Sequence, residues 1–179
     1  IYDEPELTVH SPQVTEWMQE VVLALRAGDA RRAEPLLRQA LAVEPDKPDL
    51  LNNLAFAGML QGRHQEEAAL IRDIHARYPD YFFGRVNMAR LYTHEGDYDR
   101  ACGLLDPLLL QNRFHTSEFV ALCAAEIELH LAQGNMAVAR SWFNFWDSTG
   151  LPDPQIERHR SRLGVKPVAQ PTRRARRVG

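Results

Sequence analysis

Three segments set 34 residues apart decide the fold: Ala27-Gly28-Asp29-Ala30-Arg31-Arg32-Ala33, Gln61-Gly62-Arg63-His64-Gln65-Glu66-Glu67 and Glu95-Gly96-Asp97-Tyr98-Asp99-Arg100-Ala101. A fourth, Gln133-Gly134-Asn135-Met136-Ala137-Val138-Ala139, puts its glycine 38 residues after Gly96. Each is polar and separates two stretches whose apolar residues recur at helical spacing. Glycine can end a helix in the left-handed conformation without the steric penalty of a Cβ, so each segment reads as the turn of a helix hairpin. A fixed period of about 34 residues is the mark of helix pairs stacked into a solenoid.

Working outward from Gly28, the preceding helix carries Trp17, Val21, Ala24 and Leu25 on one stripe, and the following one Ala33, Leu37, Ala40 and Leu41. Asp29 is the expected cap of that second helix, and Ser11-Pro12 the expected start of the first. Pro45 and Pro48 close the unit. The spacing predicts four such units over 14–47, 48–81, 82–115 and 118–149. Residues 1–13 are expected to be an extended lead-in lying on the first helix through Tyr2, Leu7 and Val9. Asp153-Pro154 and Gly164 bracket a short capping helix within 150–164, and 165–179 reads as a basic disordered tail. Two irregularities stand out. Pro35 and Pro107 fall inside second helices and should bend them, and Glu67 occupies a slot that is small elsewhere, predicting a local rotation or bulge.

The pattern resembles the tetratricopeptide repeat family. Trp17, Val21, Ala24, Gly28, Ala33, Leu37, Ala40 and Pro45 fill its slots in the first unit. Leu51, Leu54, Ala55, Gly58, Gly62, Ile71, Ile74 and Pro79 fill them in the second, and Ala89, Tyr92, Gly96, Tyr98, Ala101, Leu105 and Leu108 in the third. Cys123, Ala124, Ile127, Leu131, Gly134, Ala139, Phe143 and Trp146 complete the fourth. The resemblance implies an all-α, right-handed α-solenoid of antiparallel helix pairs, closed here by a C-terminal capping helix. It also implies a protein-interaction module that holds a peptide or amphipathic helix in a concave groove lined by the first helix of each pair.

Carried over slot by slot, that groove takes Met18, Gln19 and Val22, then Asn52, Asn53, Phe56 and Met59, then Phe83, Val86, Asn87, Arg90 and His94. Gln19, Asn53 and Asn87 share one slot. A row of carboxamides can clamp an extended backbone, or simply bond neighbouring helices, and both readings stand. The subclass that grips the C-terminal carboxylate of heat-shock chaperones needs Lys, Asn and further basic residues, where this chain has Met18 and Val22, then Phe83 and Asn87. No chaperone-tail binding by that clamp is expected.

A second candidate surface is Trp142-Phe143-Asn144-Phe145-Trp146. Phe143 and Trp146 fit core slots, leaving Trp142 and Phe145 either under the capping helix or as a self-association surface forming a homodimer. The third is the tail. Residues 155–179 hold eight Lys/Arg against one acid, while 1–154 hold 13 basic and 23 acidic residues, net −10. Such a run could touch nucleic acid or an acidic surface, but no interleaved aromatics or nucleic-acid motif accompany it, and a solvated tail or one folded back on the acidic body is the preferred reading.

The 45% apolar content and 25% charge are those of an ordinary soluble domain, and no apolar run approaches the length of a membrane span. The seven histidines are scattered away from metal-ligand spacing, and the glycines end helices rather than forming a phosphate loop, so no metal, cofactor or catalytic activity is expected. Cys102 and Cys123 lie among apolar helical neighbours and read as reduced core residues, which favours the cytoplasm. The first residue is Ile1 rather than Met, so the chain reads as a fragment or processed product and a removed leader stays open.

Overall fold

A computed structural model of the chain describes residues 1, 9–151 and 153–166, the side chain of Pro154 excepted. The expected contacts of Tyr2 and Leu7, and the Arg-rich run of the tail, lie outside the described residues. Along the chain come α1 (Pro12–Arg26), α2 (Ala30–Val43), α3 (Pro48–Leu60), α4 (His64–Arg77), α5 (Phe82–Glu95) and α6 (Tyr98–Leu105). A 3₁₀ turn (Asp106–Leu110) follows, then α7 (Thr116–Ala132), α8 (Met136–Ser148) and α9 (Pro154–Leu163). The described residues contain helices and no strand, and consecutive helices pack as antiparallel hairpins stacked into an α-solenoid.

The glycine beat has a direct backbone cause. Gly28, Gly62, Gly96 and Gly134 take φ of +74°, +72°, +79° and +78°, a region that strains any L side chain. In each case the next amide turns back onto the helix just ended: Asp29 N to Ala24 O (2.9 Å), Arg63 N to Gly58 O (3.0 Å), Asp97 N to Tyr92 O (2.9 Å) and Asn135 N to His130 O (2.8 Å). One terminal carbonyl of every first helix is thereby satisfied and the chain is aimed into the second. The carboxylates of Asp29 and Asp97 then accept from the backbone N–H of Arg32 and Arg100, capping α2 and α6. At the C-terminus Asp153 accepts from the N–H of Gln155 and Gly164, at φ +62°, stops α9.

Three local expectations need correction. Ser11 occupies the cap position of α1, but its hydroxyl makes no capping bond; its backbone N–H instead donates to Glu44 Oε1 at 2.8 Å. Glu67 produces no bulge: α4 runs continuously from His64 to Arg77. The two internal prolines behave differently. α2 continues through Pro35, whereas at Pro107 the α-helix ends and a 3₁₀ turn replaces it, leaving Leu109 and Leu110 exposed.

The core runs as a series of apolar clusters between adjacent hairpins. Val21, Ala24, Ala33, Leu37 and Ala57 join the first hairpin to the second, and Val86, Ala89, Ala101, Leu105, Leu122 and Leu129 join α5 and α6 to α7. The last cluster is the most aromatic: Phe119, Phe143 and Trp146 pack with Ile127, and Leu163 of α9 closes it. Phe143 and Trp146 are fully buried, and a buried side chain of that size contributes about 1.5–3 kcal/mol by transfer from water alone.

Candidate functional site

The first helices α1, α3 and α5 carry the slots expected to line a groove, and the structure divides those residues into three groups. Met59, Asn87, Arg90 and His94 come together with His64, Glu67, Ala68, Ile71 and Leu91 around a cleft of about 480 Å³ between the α3–α4 hairpin and α5. Its floor is apolar (Met59, Ala68, Ile71, Leu91) and its rim carries the polar groups. Glu67 lines the opening as a half-buried carboxylate, with His64 Nδ1 at 3.3 Å from its Oε2. Across this gap α3 and α5 meet only briefly, while α5 and α7 pack along their length.

The second group shares the same side of α1 and α3 without joining the cleft. Val22 and Phe56 are each 37% exposed, and Gln19 is exposed beside them. Met18 and Asn52 are half-buried; Met18 packs against the clusters around Val21 and Leu50. Phe83 is also half-buried, with ring contacts to Tyr81 and Phe82 at 5.8 and 5.5 Å.

Val86 forms the third group alone, and its placement on the groove was an error. It is 1% exposed and lies in the cluster shared by α5, α6 and α7. The close packing of α7 on α5 turns this slot inward, so Val86 supports the seam and is closed to a partner.

The carboxamide row is used largely within the protein. Asn53 Nδ2 donates to the Asp49 carbonyl one turn back in its own helix (2.9 Å), and Asn87 Nδ2 donates to Asn52 Oδ1 (2.7 Å), tying α5 to α3. Next along α5, the Arg90 guanidinium makes a two-point contact with Glu128 of α7, Nε to Oε2 at 2.8 Å and Nη2 to Oε1 at 3.0 Å. Burial opposes ionisation of Glu128, but the adjacent Arg90 prevails and holds the carboxyl below its usual range. Arg90 and His94 therefore share a face, with Arg90 fixed by an ion pair and His94 exposed.

The aromatic end resolves differently from either expectation alone. Phe143 and Trp146 lie against α9: the Arg160 guanidinium sits 5.0 Å from the Phe143 ring and His159 packs 5.8 Å from Trp146. Trp142 is half-buried against the last cluster. Phe145 is 54% exposed, with its ring edge-on to Phe119 at 5.4 Å and to Trp142 at 6.1 Å.

Several structurally decisive groups escaped sequence reasoning. Glu126 is 4% exposed on α7, and burial, with a smaller contribution from Asp106, raises its carboxyl to about 7. His115 caps α7 in a box with Glu118, each side chain bonding a backbone N–H of the other's segment. Histidine is an unusual cap, so only the Glu three residues on offered a signal. Among the described residues no cluster of three or more His, Cys, Asp or Glu has metal-binding geometry, and no helix is long and apolar enough to cross a membrane.

Comparison with known proteins bears on the repeats directly. A family model described as tetratricopeptide repeat matches residues 18–82, and a second with the same description matches 85–112. Together they take in just over half of the chain. Among solved structures, the MamA RS-1 ArsTM double mutant is 12% identical, with 86% of this chain and 94% of that one covered at a TM-score of 0.50. A tetratricopeptide repeat protein from Parabacteroides merdae ATCC 43184 is 20% identical over 86% of this chain and 73% of that one, at a TM-score of 0.46. The first of these likenesses concerns the fold alone. No curated protein matches.

Proposed function

The chain belongs to the tetratricopeptide repeat family, and from that premise we propose that it holds a peptide or amphipathic helix across α1, α3 and α5, with the cleft beside Met59 taking a bulky apolar side chain of the partner. Repeats of this family are in general protein-interaction modules. The observation that carries the finer reading is a cleft whose floor is Met59, Ala68, Ile71 and Leu91, with half-exposed Phe56 one turn before Met59 on α3. An apolar floor with a polar rim suits a partner that buries one face and keeps the other wet. Met59 adapts to irregular shapes. The internal bonding of Asn53 and Asn87 favours side-chain capture over backbone clamping. The site is read as four repeats with α9 as their lid, non-catalytic and without a cofactor, and the two free, unbridged thiols support a cytoplasmic setting.

The test is affinity capture with the wild-type chain and a Phe56→Ala/Met59→Ala variant. The partner retained by the wild type should be lost from the variant, with loss of about tenfold or more in affinity for two apolar anchors. Equal retention by both would refute the groove. A second reading, self-association through Phe145, is favoured by its exposure on an aromatic edge. Sedimentation should then show a dimer that Trp142→Ala/Phe145→Ala dissociates and the groove variant leaves intact.

A further inference from the structure

We propose that the N-terminal approach to the solenoid is held by a protonation-dependent latch, in which His10 as an imidazolium bridges Glu44 at the end of α2 and Asp49 in the first turn of α3. The argument is geometric. His10 Nδ1 lies 2.6 Å from Glu44 Oε2, and Nε2 lies 2.7 Å from Asp49 Oδ2. A neutral imidazole has one N–H, so at one of these two contacts a nitrogen lone pair would face a carboxylate oxygen at hydrogen-bond distance. With both carboxyls ionised, only the doubly protonated ring satisfies both. The side chain is 7% exposed, so water is poorly placed to relieve the mismatch.

The surrounding charges point the same way. Glu44 also accepts the Ser11 backbone N–H through Oε1, so one carboxylate grips both the ring and the first amide of the α1 cap. Lys47, in the α2–α3 loop, spends its ammonium on the Val9 carbonyl at 3.0 Å. Asp46 in that loop is turned to Arg77. Asp49 Oδ1 is buried with no bonding partner, so its carboxylate leans on the His10 contact. Removing the His10 proton would leave two neighbouring carboxylates with Lys47 as the cation at the corner. Burial alone would push the His10 pKa down, but the hydrogen bonds to Glu44 and Asp49 overcome it and raise the ring above its ordinary value, while the same contacts bring Glu44 down to about 2.

The latch joins elements that are remote in sequence: residues 9–11 are tied at once to the end of α2, the following loop and the start of α3. Protonated, it fixes the direction in which the chain enters α1 and staples the first hairpin to the second. Deprotonated, it frees residues 9–11 and one strut of that seam.

The test uses the full chain, with nitrogen-15 spectra of the His10 ring and the protection factor of the Ser11 amide followed from about pH 5 to about pH 9. Both ring nitrogens should carry protons at neutral pH, and the titration midpoint should lie above about 6.5. Ser11 protection should fall about tenfold across that same midpoint, the share of one charge-assisted hydrogen bond. Glu44→Gln should lower the midpoint, and His10→Gln should leave Ser11 unprotected at every pH. A His10 midpoint at or below the ordinary value overturns the proposal, as does Ser11 protection that ignores His10 titration. The wild-type titration decides the matter even if His10→Gln fails to fold.

Discussion

The two ends of the solenoid differ in the balance of charge and burial that closes them. At the N-terminal end charge closes the seam. Glu34 accepts from Gln61, Arg38 and Arg63, tying α2 to the α3–α4 turn, and is held at about 2, with the Gln61 bond the largest cause. Glu44 is held at about 2 by His10. At the C-terminal end an Arg160–Asp147 ion pair (2.7 Å) ties α9 to α8, but burial dominates the core and pushes titratable groups toward neutrality: Glu126 up to about 7, Cys123 up to about 12 and the His159 ring below its ordinary value. Between them sits the Arg90–Glu128 pair, where a buried acid keeps its charge because a guanidinium is locked onto it. A half-buried carboxylate keeps its charge where donors surround it, whereas a repeat whose core would face solvent needs an apolar lid.

The largest break in this contrast should come from the lid. Trp146→Ala empties a fully buried site under α9 and should cost about 3–5 kcal/mol in urea unfolding, more than the loss of any one polar contact of His10 or Glu34 at the N-terminal end. A loss below about 1 kcal/mol would show that burial is not what holds this end. Next in size is Glu126→Gln. With a folded pKa raised to about 7, Glu126 is neutral in both states at low pH, and stability falls as pH climbs from the unfolded carboxyl range through about 7. The carboxamide removes that penalty. The variant should gain up to about 3 kcal/mol over wild type at about pH 8 and little or nothing at about pH 4. A gain that does not grow with pH would place the Glu126 carboxylate in a better-solvated setting than its burial implies.

What the sequence made legible was whatever is local and periodic. Gly28, Gly62, Gly96 and Gly134 announce themselves because a positive φ allows little else, Asp29 and Asp97 because a cap acts on an amide three residues ahead, and Val21, Ala24, Ala33 and Leu37 because burial follows the helical period. The groove was legible only as a set of slots. Val86 shows the limit: its slot matches Asn52 on α3 in period, yet the packing of α7 decides which way α5 turns it. Glu67 was legible as a misfit that should rotate or bulge its helix pair; α4 runs unbroken, and the residue instead lines the cleft. The His10 latch could not be read at all. Its partners lie 34 and 39 residues away, and a lone histidine in a polar lead-in carries no periodic signal.

The smallest predicted effect is also the sharpest discriminator between the ends, because it changes sign. His10 has its folded pKa raised, so its stabilisation is fully present below about 6.5 and is lost as pH rises through the folded value. His159 has its folded pKa lowered by burial, so its neutral ring is compatible with the folded state above about 6.5 and stability is lost as pH falls below that. His10→Gln should therefore cost about 1–3 kcal/mol at about pH 6 and less as pH rises, the loss of a charge-assisted bond. His159→Gln should do the reverse, becoming relatively more stable against wild type as pH drops. Unfolding midpoints of the two variants, each subtracted from wild type between about pH 5 and about pH 8, should give difference curves of opposite slope. Parallel curves would mean that both histidines answer to the same global charge, and that the two ends are not closed by different forces. Opposite slopes would show that each histidine reports its own surroundings: carboxylates at one end, an aromatic core at the other.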